Sequence, residues 1–155
     1  MSELSPGDAA PDFELPTDGD GSLKLSDLQG SNVVLFFYPK DDTPGCTKES
    51  IAFSEAKADF EALNTQIVGM SPDKAAKHDK FKAKHNLDVT LVADEEQSAL
   101  SAYGVWKEKS MYGKTYMGVE RSTFLIGADG KIIDVWRKVK VPGHVDAVLE
   151  RVRSL

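Results

Sequence analysis

The chain has 155 residues, 41% of them apolar, with 25 acidic and 19 basic side chains, a formal charge of −6, and one cysteine. A chain of this size buries about 69% of its unfolded surface on folding, so one core suffices and a single domain over residues 1–155 is expected. One cysteine excludes an intrachain disulfide, a cysteine-pair zinc site and a CxxC redox motif. The acidic balance argues against nucleic acid or an anionic membrane as partner, since both require a positive field.

In chain order, residues 1–31 are rich in Gly, Pro and Asp and hold two short strand candidates, Asp12 to Leu15 and Ser22 to Leu25. Met1-Ser2-Glu3 begins no basic, apolar leader, so no secretory signal and a cytoplasmic location are expected. Val33 to Tyr38 is continuously apolar or aromatic, which predicts a strand buried on both faces; at six residues it is too short to cross a bilayer. From Thr47 to Leu63, the spacing of Phe53, Ala56, Phe60 and Leu63 predicts one face of a helix. Gln66 to Ser71 reads as a second buried strand. A charged helix is expected from Asp73 to His85, then a strand over Val89 to Ala93 and a short helix from Glu95 to Tyr103. Met111 to Tyr116 reads as an irregular hairpin around Gly113, and Ser122 to Ile126 with Ile132 to Trp136 as a β-hairpin. His144 to Arg153 is the closing helix, announced by Pro142-Gly143. Two strand-helix-strand units, a hairpin and a last helix give an α/β fold with a mixed central sheet and helices on both faces.

The segment that carries chemistry is Tyr38-Pro39-Lys40-Asp41-Asp42-Thr43-Pro44-Gly45-Cys46-Thr47-Lys48-Glu49. It lies at the carboxyl end of a buried strand, where open α/β sheets place their sites. Cys46 falls in the first turn of the following helix, where free N–H groups and the positive end of the macrodipole favour an anion such as a thiolate. Pro39 and Pro44 stiffen the loop, and the Thr43 hydroxyl three residues before the sulfur can donate or accept a hydrogen bond. Free cysteines are more often inert, buried hydrophobes. This one is flanked by Gly, Thr and Lys at a helix start, which marks it as a candidate nucleophile.

Thr43-Pro44-Gly45-Cys46-Thr47 after Phe36-Phe37-Tyr38-Pro39 resembles the peroxidatic motif of the peroxiredoxins, in the bacterioferritin comigratory protein or PrxQ subfamily. The likeness covers nearly the whole chain. It includes Gly7 to Leu15, then Gly69-Met70-Ser71-Pro72-Asp73 with His78 and Phe81, then Tyr103-Gly104-Val105-Trp106 with Lys114, Arg121 and Thr123 to Ile126. The resemblance implies a thioredoxin-like fold and an antioxidant peroxidase. Hydrogen peroxide and organic hydroperoxides would be reduced to water and alcohols through a Cys46 sulfenic acid. It implies further that Pro39 shields the thiol, Thr43 hydrogen-bonds the peroxide oxygen and Arg121 stabilises the thiolate and the developing charge. Such roles suit in-line attack on an O–O bond. For Glu49 two readings stand: it orients Arg121 or the loop, or it favours the helix N-terminus electrostatically. No cofactor is implied.

The chain departs from the pattern at Ile51, which occupies the position five after Cys46 where many members carry a resolving cysteine. Asp73 to His85, the other place for one, has none. A sulfenic acid on Cys46 therefore needs an external thiol: thioredoxin, glutaredoxin with glutathione, or another small thiol. A disulfide between two Cys46 residues would require both to leave sheltered positions. The subfamily resemblance also implies a monomer. Two competing readings are a dithiol oxidoreductase, which the lone cysteine argues against, and a binding module with Cys46 inert.

Other features carry less. Gly113-Lys114-Thr115 lacks the earlier P-loop glycine, since position 108 is Glu108. Asp18-Gly19-Asp20-Gly21-Ser22 has Leu23 where a calcium loop needs glycine. On a helix His78 and His85 stand about 10 Å apart, too far for one metal ion, and read as a surface or packing pair. No metal site is expected. Lys74, Lys77, Lys80, Lys82 and Lys84 read as a solvated face.

Overall fold

A computed structural model describes residues 3–155; Met1 and Ser2, on which part of the leader expectation rests, lie outside the described residues. Short strands β1 (Glu14–Pro16) and β2 (Ser22–Lys24) pair antiparallel and lead through a 3-10 turn into β3 (Asn32–Phe37). Then follow α1 (Pro44–Glu61), β4 (Thr65–Ser71), α2 (Ala75–His85), β5 (Thr90–Ala93) and α3 (Ser98–Ala102). The chain ends with β6 (Trp106–Met111), β7 (Lys114–Val119), β8 (Ser122–Ile126), β9 (Ile132–Trp136) and α4 (His144–Arg153).

Five strands form the central sheet in the order β5-β4-β3-β8-β9, with β3, β4 and β5 parallel and β8 and β9 antiparallel. The middle strand is the apolar run, and Val33 to Phe37 are each at most 2% exposed. Alternate strand side chains face opposite ways. Accordingly Val34, Phe36 and Tyr38 enter one core with Phe53 and Phe60 of α1, Phe81 of α2 and Val145, Val148 and Leu149 of α4. Val33, Leu35 and Phe37 enter the other with Ala99 and Leu100 of α3, Tyr103 and Leu25. Helices thus cover both faces of a mixed sheet, as the element order requires.

Four expectations need correction. The first long helix starts at Pro44, three residues before the expected Thr47, because proline suits the first helical position, and it ends at Glu61. The charged helix starts at Ala75, because the Asp73 carboxylate is held outside it, accepting hydrogen bonds from the Ser71 hydroxyl (2.8 Å) and the Asp41 N–H (2.7 Å). The short helix begins at Ser98, where the Asp94 carboxylate accepts from the N–H groups of Ser98 and Leu100 at 3.1 and 2.8 Å. The hairpin is longer and regular, with β6 and β7 in register from Trp106↔Val119 to Met111↔Lys114. Its turn, Tyr112-Gly113, has φ of 54° and 76°, the mirror-image turn whose twist matches paired strands. Because this ladder is mostly exposed, its lysines, Glu108 and Ser110 hide the apolar alternation that marks a strand.

Gly69 lies in β4 opposite Phe36. A Cβ there would sit 2.6 Å from Phe36 Cζ and 3.0 Å from Leu91 Cδ2, and both side chains are fully buried. Gly69→Ala is therefore expected to destabilise the fold by about 1–3 kcal/mol through overpacking, read as a lower urea midpoint. An unchanged midpoint would mean that the two neighbours yield freely.

Candidate active site

The chain leaves β3 at Phe37, crosses Tyr38 to Asp42, and enters α1 with Thr43 at the N-cap (φ −92°, ψ 155°) and Pro44 at the first helical position. Proline suits that position, since its missing N–H would have no intrahelical partner. Cys46 consequently stands in the first helical turn, 1% exposed, at the carboxyl end of the central strand. Thr43 does not cap the helix with its side chain; its hydroxyl donates to the Lys40 carbonyl at 2.8 Å. Pro39, next after Tyr38, is half-buried.

Arg121, immediately before β8, reaches this turn from across the sheet. Its Nη2 donates to Cys46 Sγ at 3.2 Å and its Nη1 to Glu49 Oε1 at 2.7 Å. Cys46 and Glu49 are three residues apart, hence on one face of the helix, so a single planar fork contacts both. Gly45 gives that fork room: a Cβ there would come within 3.1 Å of Nη2. Glu49 is fully buried, and its Oε2 has no hydrogen-bond partner. Burial pushes its carboxyl up to about 7 against the pull of Arg121. Burial works against the charge of the guanidinium, and its contacts with Glu49 and Cys46 outweigh that cost and hold it above its usual range.

The loop before Cys46 is pinned to α2 by two consecutive aspartates. The Tyr38 hydroxyl donates to Asp41 Oδ1 at 2.6 Å, Asp41 Oδ2 meets His78 Nδ1 at 2.6 Å, and His78 Nε2 meets the Val92 carbonyl at 2.9 Å. A carbonyl only accepts, so His78 Nε2 is the donor to Val92 and Nδ1 is left to meet Asp41. Both side chains are fully buried. Asp42, at φ 63°, pairs with His85 Nε2 at 2.8 Å and Lys84 Nζ at 2.7 Å. His78 is therefore wholly buried, while His85 is partly exposed and packs edge-on against Phe81; each holds one residue of the Cys46 loop. The lysine face is likewise only partly solvated, because Lys77, Lys82 and Lys84 reach Asp73, Asp18 and Asp42.

On the other side, His144 at the start of α4 bonds Thr123 Oγ1 through Nε2 at 2.8 Å and lies edge-on to Phe53 and Trp136. Burial and the Arg121 charge push it down to about 4, so it is neutral at pH 7. Of the residues expected at the site, Cys46, Arg121 and Glu49 are in direct contact, and Thr43 and Pro39 belong to the same loop. Asp41, His78 and His144 escaped the sequence reading. One available signal was Tyr38, a phenol ending an apolar strand, which when buried must find a partner for its hydroxyl.

Residues 6–135 match the sequence profile of the AhpC/TSA family. Peroxiredoxin Bcp of Bacillus subtilis is 49% identical over 149 residues, covering 96% of this chain and 95% of that protein. Among solved structures, a mutant PrxQ of Xylella fastidiosa superimposes with a TM-score of 0.94 at 39% identity, covering 99% of this chain and 98% of that one. Xanthomonas campestris bacterioferritin comigratory protein, described in trapped intermediate and ligand complexes of alkyl peroxide reduction, gives 0.88 at 41% identity over 92% and 90% of the two chains. The fold is that of the thioredoxin-like peroxiredoxins.

Glu49 and His144 make opposite demands on pH. The folded Glu49 keeps a proton up to about 7 against an ordinary 4.5, so its contribution to stability is complete below 4.5 and is lost as pH rises towards 7. The folded His144 refuses a proton down to about 4 against an ordinary 6.5, so its contribution is complete above 6.5 and is lost as pH falls towards 4. Each gap corresponds to about 3 kcal/mol, and between pH 4.5 and 6.5 the two slopes oppose. Relative to the unaltered protein, Glu49→Gln should gain stability over that interval and His144→Gln should lose it. Urea midpoints at the two pH values measure both, and parallel profiles for all three proteins would refute the assignment.

Proposed function

We infer that this chain, which belongs to the AhpC/TSA family, is a thiol-dependent peroxidase whose reacting sulfur is Cys46. The observation that carries the site assignment is the Arg121 guanidinium 3.2 Å from Cys46 Sγ in the first turn of α1. There the charge of arginine and the free N–H groups of the helix start both stabilise a thiolate. The thiolate attacks the nearer peroxide oxygen in line with the O–O bond. The far oxygen leaves with a proton as water or alcohol, and Cys46 becomes a sulfenic acid.

Thr43 suits the reception of that substrate in one direction. Its proton is committed to the Lys40 carbonyl, so its oxygen is free to accept the O–H of a hydroperoxide. Arg121 offers N–H groups to the oxygens as charge develops on them. Pro39 walls the loop side of the thiol. Glu49 orients Arg121 through the 2.7 Å bond, which favours the first of its two readings. Tyr38, Asp41 and His78 are positioning residues that hold the loop.

The cycle closes on an external thiol, since Ile51 packs against the core where a resolving cysteine would stand. Thioredoxin, glutaredoxin with glutathione, and other small thiols are the reductant classes that fit. We read the chain as a single thioredoxin-like domain, monomeric and cytoplasmic. Among the described residues no helix is long and apolar enough to cross a membrane.

Stoichiometric hydrogen peroxide should add one oxygen to Cys46, detected by mass spectrometry, far faster than free cysteine reacts. Cys46→Ser should abolish peroxide consumption. Arg121→Ala is expected to slow the peroxide step by about a hundredfold or more and Thr43→Val by about tenfold, with Thr43→Ser restoring most of the rate. Near-normal consumption by Cys46→Ser would refute the reading.

A further inference from the structure

A groove runs between the β6–β7 hairpin and the strap that follows β9, and Arg121 is the residue that links it to Cys46. Its charged lining is Arg121, Lys107, Lys109, Lys138, Glu108 and Glu120. Four cations against two carboxylates reverse the sign of a chain whose formal charge is −6. Lys107 is occupied by Glu120 at 2.7 Å and Glu3 at 3.1 Å. Lys109 and Lys138 have no carboxylate partner among the described residues.

Both free lysines are held where they stand. Lys109 faces Tyr116 across the ladder, and its stem lies over the bare backbone of Gly118, where a Cβ would meet Lys109 Cδ and Tyr116 Cε2 at 3.3 Å each. Its ammonium is pushed below its usual range by burial and by the Arg121 charge, opposed at longer range by Glu120 and then by Cys46. Lys138 has φ 49°, an uncommon conformation for a side-chain-bearing residue. The next residue is tied to the site by the Val139 N–H donating to the Arg121 carbonyl at 2.9 Å. Two unpaired cations, one on a strained backbone, flank the guanidinium that touches the only sulfhydryl of the chain.

We propose that this groove is the reductant site, and that it receives the carboxylates of a small anionic thiol on Lys109 and Lys138 while its sulfur reaches oxidised Cys46. The proposal rests on the peroxidase reading above. A compact thiol suits a cysteine 1% exposed, since it enters without unseating the first turn of α1. The cations concentrate the anion and steer it towards Arg121. The incoming thiolate attacks the sulfur of the Cys46 sulfenic acid, an S–S bond forms, and the hydroxyl leaves with a proton as water. A second thiol then attacks the mixed disulfide, releasing Cys46 as thiol and a disulfide of two reductant molecules.

The test uses full-length protein oxidised with one equivalent of hydrogen peroxide, the sulfenic acid being verified by a one-oxygen mass shift and trapping. Stopped-flow reduction rates are compared per thiolate for glutathione and mercaptosuccinate (anionic), 2-mercaptoethanol (neutral) and cysteamine (cationic). The anionic thiols should exceed 2-mercaptoethanol by about tenfold or more, with cysteamine slowest and the gap closing near ~0.5 M salt. Lys109→Ala with Lys138→Ala should bring the anionic-to-neutral ratio close to one, Lys109→Arg should preserve it, and Lys80→Ala, exposed on α2, should leave it as it was. Equal rates for all charges, or a ratio untouched by the double variant, would overturn this proposal alone. Failure to form any sulfenic acid would overturn the peroxidase reading, and this proposal with it.

Discussion

The contact between Arg121 and two groups on the first turn of α1 depends on a register. β8 pairs antiparallel with β3 so that Ser122 faces Phe37, the last residue of the strand, and Arg121 follows just past the ladder's end. The chain on the β3 side is there turning towards Cys46. A slip of one residue would send the arginine to the opposite face of the sheet, because side chains alternate. The register is in turn enforced by Phe124 and Leu125, both fully buried, which must enter opposite cores. Core packing thus places a cation at a thiol that lies 75 positions away in the chain.

That placement buries the thiol and Glu49 while leaving the guanidinium partly exposed to the groove. Glu49 is wholly buried with one oxygen unpaired, and the Asp41–His78 pair is wholly buried in the same loop-to-helix region. Unpaired buried polar atoms are uncommon in native proteins and mark places where something other than stability is being held. Here the buried carboxyl of Glu49 lies a single guanidinium away from the sulfur.

Local features of the chain were legible because local physics governs them. The six-residue apolar run is the strand buried on both faces, and the bounds of α4 coincide with the Pro142-Gly143 signal. The placing of Thr43-Pro44-Gly45-Cys46 at a helix start after a buried strand was readable in the same way. Contacts between distant segments were not legible. Asp41 meets His78 across 37 positions, and nothing in the spacing of His78 and His85 says that each will hold one of two consecutive aspartates. Glu49 could be read two ways until the sheet brought Arg121 to it. The β6–β7 ladder was misjudged because exposed strands lack the apolar alternation on which the reading depends.

The Thr43 hydroxyl bears on which peroxides the site can tell apart. With its proton given to the Lys40 carbonyl, the oxygen offers only lone pairs to whatever lies beside the sulfur. A molecule with an O–H on its peroxide bond satisfies it, whether the rest is hydrogen or an alkyl chain. A dialkyl peroxide, with the same weak O–O bond but no proton to give, leaves that oxygen unsatisfied and its own reacting atom unaligned. On the proposed role of Thr43, selection among oxidants would act through a hydrogen-bond direction set inside the loop, ahead of any contact with the remainder of the substrate.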